Sequence, residues 1–151
     1  MEKQKKISRY KRLYEQLQDL LKKSNDETAH MATVTAVLYH KMDYFFWCGF
    51  YRIVNGELIV GAYQGPVACQ VLTKNKGVCW VGINQGKTIV VPDVHQFPDH
   101  IACDSRSKSE IVVPYKDKTG KITAILDVDS SELNSFDEVD AEYLEKIVAL
   151  I

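Results

Sequence analysis

The sequence predicts an α+β domain in which an antiparallel sheet of five to six strands carries the N- and C-terminal helices on one face. Apolar residues recur at helical spacing near both ends, and apolar runs rich in β-branched and aromatic residues fill the middle. Helices, then a set of strands, then a closing helix are typical of a sheet covered by helices on one face. With 151 residues, 46% of them hydrophobic, we expect one domain spanning residues 1–151.

Two helices are predicted at the N-terminus and one at the C-terminus. The first has a single apolar stripe at spacings of three and four, made of Ile7, Tyr10, Leu13, Tyr14, Leu17, Leu20 and Leu21. Ser24 and Glu27 have the spacing of a capping box and open a second helix to about Met42. A second capping box at residues 135–138 starts a closing helix that runs through Leu150.

The central elements are predicted from apolar runs bounded by turn residues. Residues 45–54 and 57–63 flank Asn55-Gly56, a dipeptide that favours the two-residue type I′ turn of a β-hairpin. The remaining elements are a short strand, a short helix and three further strands, over residues 69–72, 77–85, 88–94, 109–115 and 122–128.

Charge and hydropathy exclude several classes of function. Nineteen basic against twenty acidic residues give a net charge of −1, without the basic excess of a nucleic-acid-binding domain. We interpret the one basic cluster as the solvated face of the first helix, with a polyanion patch as the alternative: Lys3, Lys5, Lys6, Arg9, Lys11 and Arg12. No secretory signal and no apolar run of about 20 residues is visible, so we expect a cytoplasmic protein.

Three of the four cysteines lie in predicted loops or at element edges: Cys69, Cys79 and Cys103. In a cytoplasmic chain such residues are catalytic, metal-binding or free more often than structural. A zinc site with His95 or His100 as fourth ligand is disfavoured, because gaps of ten and twenty-four residues match no common zinc spacing. Three free thiols without a function remain the alternative. Cys48 lies inside a hydrophobic strand, where we expect a buried, inert thiol.

The surroundings of Cys103 favour redox chemistry. Residues 93–110 place two histidines, an arginine and a lysine near this thiol, and nearby cations lower a thiol pKa and so favour the nucleophilic thiolate. Glu110 opens a very apolar strand, where it is either an exposed strand end or a proton donor of raised pKa. Asp127 and Asp129 share one face of the last strand, as a polar strand end or as a proton-handling or cation-binding pair.

Two aromatic residues of the first strand are further candidates. Trp47 and Tyr51 are four residues apart and therefore share a face in a regular strand. They would form either part of the core or an aromatic wall against a small apolar group.

Beyond these single residues, several longer segments carry a family pattern. They are VPDVHQFPDHIACDS at 91–105, SEIVVP at 109–114, WxGFY from residue 47, QGPVAC at 64–69, GVC at 77–79 and LDVDS at 126–130. Together they resemble the free methionine-(R)-sulfoxide reductases, a family of GAF-fold enzymes, over essentially the whole chain. The HIACD segment with two upstream cysteines is specific, because a generic GAF domain has no reason to hold it.

The resemblance implies an enzyme that reduces the R-sulfoxide of the free amino acid. It implies that Cys103 attacks and that Cys69 and Cys79 are the partners that form the resolving disulfide, in an order left open. The aromatic pair is implied to contact the methyl group of the sulfoxide. Three carboxylates are implied to hold the substrate's ammonium group and to protonate its oxygen: Glu110, Asp127 and Asp129.

Other expectations concern partners and one departure from the family. Thioredoxin is the implied reductant, no metal or organic cofactor is expected, and N–H groups around residues 101–103 are expected to bind the substrate carboxylate. Trp80 stands where the family commonly has a small residue, so its indole would reshape the lid or cover the pocket. The sequence leaves open a homodimer with the first helix docked on a second copy. A small-ligand sensor of the GAF type is the alternative function, disfavoured because we expect no output domain in this chain.

Overall fold

A computed structural model describes residues 1–100 and 103–151, and it confirms the α+β architecture on a six-stranded antiparallel sheet. The helices in this part of the chain are α1 Lys3–Leu21, α2 Glu27–Lys41, α3 Val78–Gln85 and α4 Glu138–Val148, with a 3₁₀ turn at Val94–Gln96. The strands are β1 Trp47–Val54, β2 Glu57–Gln64, β3 Val71–Leu72, β4 Ile89–Val91, β5 Ser109–Lys116 and β6 Ile122–Ser130. Their order across the sheet is β3-β2-β1-β6-β5-β4.

The sheet separates two apolar layers. Helices α1, α2 and α4 cover one face, as predicted, and bury side chains such as Leu17, Val34 and Leu144 against Phe50 and Leu126 of the sheet. The short inserted helix α3 lies on the opposite face over a smaller cluster. Strand alternation sends successive residues of β1, β5 and β6 into different layers, so the same strands build the main core and the surface beneath α3.

The predicted hairpin is confirmed. Asn55 and Gly56 connect β1 to β2 with φ angles of 51° and 80°, and the type I′ turn requires positive φ at both central residues. Within the described residues, no helix has the length and hydropathy of a membrane span.

Both predicted capping boxes are displaced by two residues. Helix α2 begins after Asp26, whose carboxylate accepts a hydrogen bond from the Ala29 N–H, while Ser24 accepts one from the Asp26 N–H. Helix α4 begins after Asp137, which forms a reciprocal box with Asp140. A carboxylate caps as well as a hydroxyl and adds a favourable charge at the helix N-terminus. In both helices the N-cap is therefore the aspartate, which lies closer in sequence to the first apolar residues of the helix than the serine does.

The basic N-terminal cluster is not uniformly solvated, because Lys6 is 4% exposed. Its ammonium lies 2.7 Å from the carboxylate of Asp140, which also accepts hydrogen bonds from the hydroxyls of Tyr10 and Tyr44. The interpretation of a fully solvated face is wrong at this position, because the Lys6 ammonium exchanges water for hydrogen bonds to Asp140, Asp137 and the carbonyl of Ser135. The contact also shows α1 packed on α4 of its own chain.

Lys6→Ala is expected to lower the free energy of unfolding by about 3 kcal/mol, because it leaves Asp140 buried without its cation. Urea denaturation followed by circular dichroism measures the change. Lys5→Ala is the matched control, since Lys5 is exposed on the same helix and should shift stability by less than about 0.5 kcal/mol. Equal midpoints for the two variants would contradict the expectation.

Candidate active site

A cleft of about 610 Å³, solvent at its mouth included, opens on the α3 side of the sheet. Seven of the eight predicted site residues line it: Trp47, Tyr51, Cys79, Cys103, Glu110, Asp127 and Asp129. Cys69, the eighth, is bonded to Cys103. Strands, helix and loops that are distant in sequence therefore bring all the predicted side chains to one place.

Strand register assembles the floor of the cleft. Trp47, Asp129 and Glu110 stand directly opposite one another on β1, β6 and β5. The next row on the same face has Gly49 opposite Asp127. A Cβ at Gly49 would lie 2.6 Å from the Trp47 ring, so the absence of a side chain lets the indole lie flat across this row.

The three carboxyl groups lie close together on the buried floor of the cleft. Burial raises the pKa of Glu110, Asp127 and Asp129, and the charge of Asp127 raises the pKa of the other two further. Glu110 is only 6% exposed, so the alternative of an exposed strand end is wrong. The Oδ1 atom of Asp127 is buried and finds no hydrogen-bond partner among the residues the structure describes. Neighbouring acids that cannot all ionise provide a neutral proton donor.

His100 is a basic residue that lies beside one of these acids. Its Nδ1 lies 4.0 Å from a carboxylate oxygen of Glu110, and burial lowers the pKa of the imidazole. The sequence indicated His100 as an alternative metal ligand and as one of the cations near Cys103, but not as a partner of Glu110. Ten residues separate His100 from Glu110 in sequence, and this spacing alone gives no signal of the contact.

Glu110→Gln is expected to raise the melting temperature at pH 8 relative to the parent protein. A carboxyl whose pKa is higher in the folded than in the unfolded state contributes stability below its unfolded pKa and loses that contribution as the pH rises toward its folded pKa. The amide cannot ionise, so the variant avoids this loss. Differential scanning calorimetry at pH 5 and pH 8 should show the advantage of the variant growing with pH. An advantage that shrinks with pH would contradict the raised pKa.

The cysteines take different positions. Cys69, after β2, and Cys103, before β5, form a disulfide with a Cα–Cα distance of 5.5 Å. Cys79 is a buried free thiol in the first turn of α3, and burial followed by the charges of Asp127 and Glu110 raises its pKa. Cys48 is buried in the helix-side core, as expected, where burial raises its pKa. The sequence left open which upstream cysteine meets Cys103, and in this structure it is Cys69.

The predicted metal alternative does not fit this arrangement. Thiols joined in a disulfide are not available as ligands, and His95 is an exposed residue paired with Asp93. A different grouping does occur within the described ranges: ligand atoms of Cys79, Glu110 and Asp127 lie within 4.8 Å of one another. They come from α3, β5 and β6, so no local spacing could have indicated this group.

The two aromatic residues share a face, as predicted. The rings of Trp47 and Tyr51 stack at 5.8 Å, and Tyr63 of β2 stacks on Trp47 at 5.3 Å. Their polar atoms reach the loop after β2: the Trp47 indole donates to the carbonyl of Pro66 at 3.0 Å, and the Tyr51 hydroxyl donates to that of Cys69 at 3.3 Å. The strand pattern indicated the wall but not these hydrogen bonds.

The mouth of the cleft holds Phe46 and Asp104, which the sequence did not single out for a role, beside Arg106, which it counted among the cations near Cys103. Asp104 lines the cleft and forms a two-point ion pair with Arg106, which lowers the pKa of the carboxyl to about 2. The guanidinium also lies 4.9 Å from the ring centre of Phe46. An acid and a base two residues apart could have indicated this ion pair, but many turns have the same spacing.

The expectations for the carboxylate-binding N–H groups and for Trp80 are not confirmed. Residues 101–102, whose N–H groups were expected to bind a carboxylate, lie outside the described residues. Trp80 is buried in the cluster under α3 and is not among the described residues that line the cleft, so the expectation that it covers the pocket is not met. Its indole faces Lys74 at 5.9 Å and has no hydrogen-bond partner within the described chain.

The architecture and the site define a GAF domain that holds a disulfide beside buried carboxyl groups. A family profile described as "GAF domain" matches residues 17–151. "GAF domain-containing protein A" of Dictyostelium discoideum is 48% identical over 147 residues, which are 97% of this chain and 92% of that protein.

Two further relatives narrow the family. "Free methionine-R-sulfoxide reductase" of Escherichia coli is 36% identical over 126 residues, covering 82% of this chain and 76% of that protein. The solved free methionine-R-sulfoxide reductase of Neisseria meningitidis, described as a complex with its substrate, aligns with a TM-score of 0.88 and 39% identity over 93% of this chain and 84% of that one. This chain belongs to the free methionine-R-sulfoxide reductase family of GAF-domain proteins.

Proposed function

We propose that this protein reduces free L-methionine-(R)-sulfoxide to methionine, with Cys103 as nucleophile and Cys69 as the residue that resolves the oxidised intermediate. The observation that carries the proposal is the Cys69–Cys103 disulfide at a cleft lined by an aromatic pair and three carboxyl groups. Relatives that bear the reductase name, one of them described as bound to its substrate, support the choice of substrate.

Two groups of the substrate have a complement among the described residues of the cleft. The methyl group on the sulfoxide sulfur would pack against the rings of Trp47 and Tyr51, which offer an apolar surface. The ammonium group would pair with those carboxyls that stay ionised, and so supply the positive charge that the crowded acids lack. A cleft enclosed on several sides favours a free amino acid over a residue within a peptide chain.

The first chemical step transfers one oxygen atom. The Cys103 thiolate attacks the sulfoxide sulfur while a neutral carboxyl, from Glu110 or Asp129, donates a proton to the sulfoxide oxygen. The sulfur–oxygen bond of the substrate breaks, the oxygen passes to Cys103, and methionine leaves with its sulfur reduced by two electrons. Cys103 is then a sulfenic acid.

The following steps restore the thiols. Cys69 attacks the sulfenic acid, a disulfide forms, and one water molecule leaves with the transferred oxygen. A dithiol reductant of the thioredoxin class then exchanges with this disulfide, becomes oxidised itself, and returns both cysteines to thiols. Cys79 takes no part in these bonds in the proposed scheme. No metal or organic cofactor enters the balance, and the need for a dithiol reductant agrees with a cytoplasmic location.

A coupled assay tests the proposal. The purified protein is supplied with free methionine-(R)-sulfoxide, thioredoxin, thioredoxin reductase and NADPH, and NADPH oxidation is followed by absorbance. We expect turnover with the free R-sulfoxide, and little with the S-sulfoxide or with a peptide that contains the R-sulfoxide. Absence of turnover with the free R-sulfoxide would reject the proposal. Metal analysis of the same preparation tests the zinc alternative, which stoichiometric zinc would support.

A further inference from the structure

We propose that Trp47 and Tyr51, besides facing the substrate, position Cys69 for disulfide formation by hydrogen-bonding the backbone of the loop that carries it. This inference deepens the proposed function, because it assigns the aromatic wall a part in the resolving step. The loop in question, residues 65–70, connects β2 to β3.

The loop has few other attachments. Within the described chain, its one backbone-to-backbone hydrogen bond is at its end, where the Gln70 carbonyl accepts from the Val60 N–H at 2.9 Å, and Val67 at its tip is 84% exposed. The Trp47 indole holds the carbonyl of Pro66 at 3.0 Å, near the start of the loop. The Tyr51 hydroxyl holds the carbonyl of Cys69 itself at 3.3 Å.

The two donors are themselves fixed. Both lie on β1, which is paired on both sides in the sheet, and Trp47 stacks between Tyr51 and Tyr63. Burial and the neighbouring carboxylates raise the pKa of Tyr51, so its hydroxyl keeps the proton that it donates. A Cβ at Gly65 would lie 2.8 Å from the carbonyl oxygen of Phe46, which shows how closely the loop begins against β1.

Holding Cys69 in place raises its effective concentration toward Cys103. An intramolecular bond forms more readily when its partners are confined near each other, and every alternative loop position lowers that advantage. A hydrogen bond contributes about 1 kcal/mol net, which corresponds to about fivefold in an equilibrium constant. Loss of the Tyr51 hydroxyl should therefore weaken the disulfide about fivefold.

Tyr51→Phe tests this effect without any sulfoxide. Reduced protein is equilibrated with glutathione and glutathione disulfide, in which two thiols become the Cys69–Cys103 disulfide and glutathione disulfide becomes two glutathiones. Quenched samples are analysed by mass spectrometry, which distinguishes this pair from any bond to Cys79. We expect an equilibrium constant about fivefold lower than in the parent protein.

Tyr63→Phe is the matched control. Tyr63 stacks on the other side of Trp47, but its hydroxyl donates no hydrogen bond within the residues that the structure describes. An unchanged constant for this variant supports the inference. An unchanged constant for Tyr51→Phe, or an equal decrease in both variants, would overturn it.

A second measurement separates this inference from the proposed function. Stoichiometric methionine-(R)-sulfoxide is added to reduced protein with dimedone, which traps sulfenic acid. We expect more trapped Cys103 in Tyr51→Phe than in Tyr63→Phe, because resolution is slower. No methionine and no trapped sulfenic acid in any protein would reject the proposed function, while the glutathione equilibrium would still decide the positioning role. Equal trapping in both variants, with methionine formed, would count against that role alone.

Discussion

Cys103→Ser is expected to reduce turnover by at least about a thousandfold while leaving the fold intact. The serine hydroxyl does not ionise near neutral pH and cannot carry the transferred oxygen as a sulfenic acid does. Cys103 lies in an exposed loop position, so the substitution removes no core contact. Activity is measured with the NADPH-coupled assay, and stability is compared under reducing conditions so that loss of the disulfide does not enter.

Cys48→Ala is the control, because it removes a thiol that lies outside the cleft. Cys48 lies in the helix-side core, so this variant should lose about 1 kcal/mol of stability and keep its turnover. Turnover by Cys103→Ser at a rate comparable to that of Cys48→Ala would remove Cys103 from the role of nucleophile. If Cys69→Ser turned over at the rate of Cys48→Ala in the presence of a dithiol reductant, attack by Cys103 would still be compatible with the result. Such a reductant can reduce the Cys103 sulfenic acid directly.

Asp129→Asn is expected to lower kcat/KM by about a hundredfold or more, with little loss of stability. The carboxyl stands between Trp47 and Glu110 on the floor of the cleft, where it would pair with the ammonium group or protonate the sulfoxide oxygen. An amide keeps the shape of the side chain but neither accepts the charge nor gives up a proton as readily. Because burial raises the pKa of Asp129, loss of the charge should not destabilise the folded protein.

Asp19→Asn provides a comparison of equal charge change on the exposed surface of α1. It should alter neither kcat/KM nor the melting temperature beyond the error of measurement. If Asp129→Asn behaves like Asp19→Asn in the assay, Asp129 is a polar strand end without a role in the reaction.

Local patterns were sufficient for elements, and for pairs within one strand. The Asn55-Gly56 turn, the shared face of Trp47 and Tyr51, and that of Asp127 and Asp129 each depend on neighbours in sequence. The joint floor of the cleft depends on how β1, β6 and β5 are aligned with one another. A shift of one residue would send every side chain of a strand to the other layer. The sequence pattern did not predict which side chains this register brings together. Only the resemblance to a family implied that they share one site.

Other features escaped prediction for different physical reasons. The pairing of Cys69 with Cys103 depends on where two loops come to lie, which spacing along the chain does not determine. The burial of Lys6 escaped because a charge is expected at the surface unless a buried partner is known, and Asp140 is 134 residues away. The predicted caps were two residues too early because serine and aspartate are both favoured as N-caps, and propensity alone does not choose between two such residues close in sequence.

The alternation along β6 has a consequence for how such a domain can diversify. Ala124, Leu126 and Val128 belong to the helix-side core, while Asp127 and Asp129 belong to the cleft, so the two sets of side chains make their contacts in separate layers. Substitutions at the cleft positions can change which molecule is recognised without first weakening the packing that keeps the chain folded. A library confined to those positions, and to Glu110 on β5, would therefore explore new ligands at little risk to foldability.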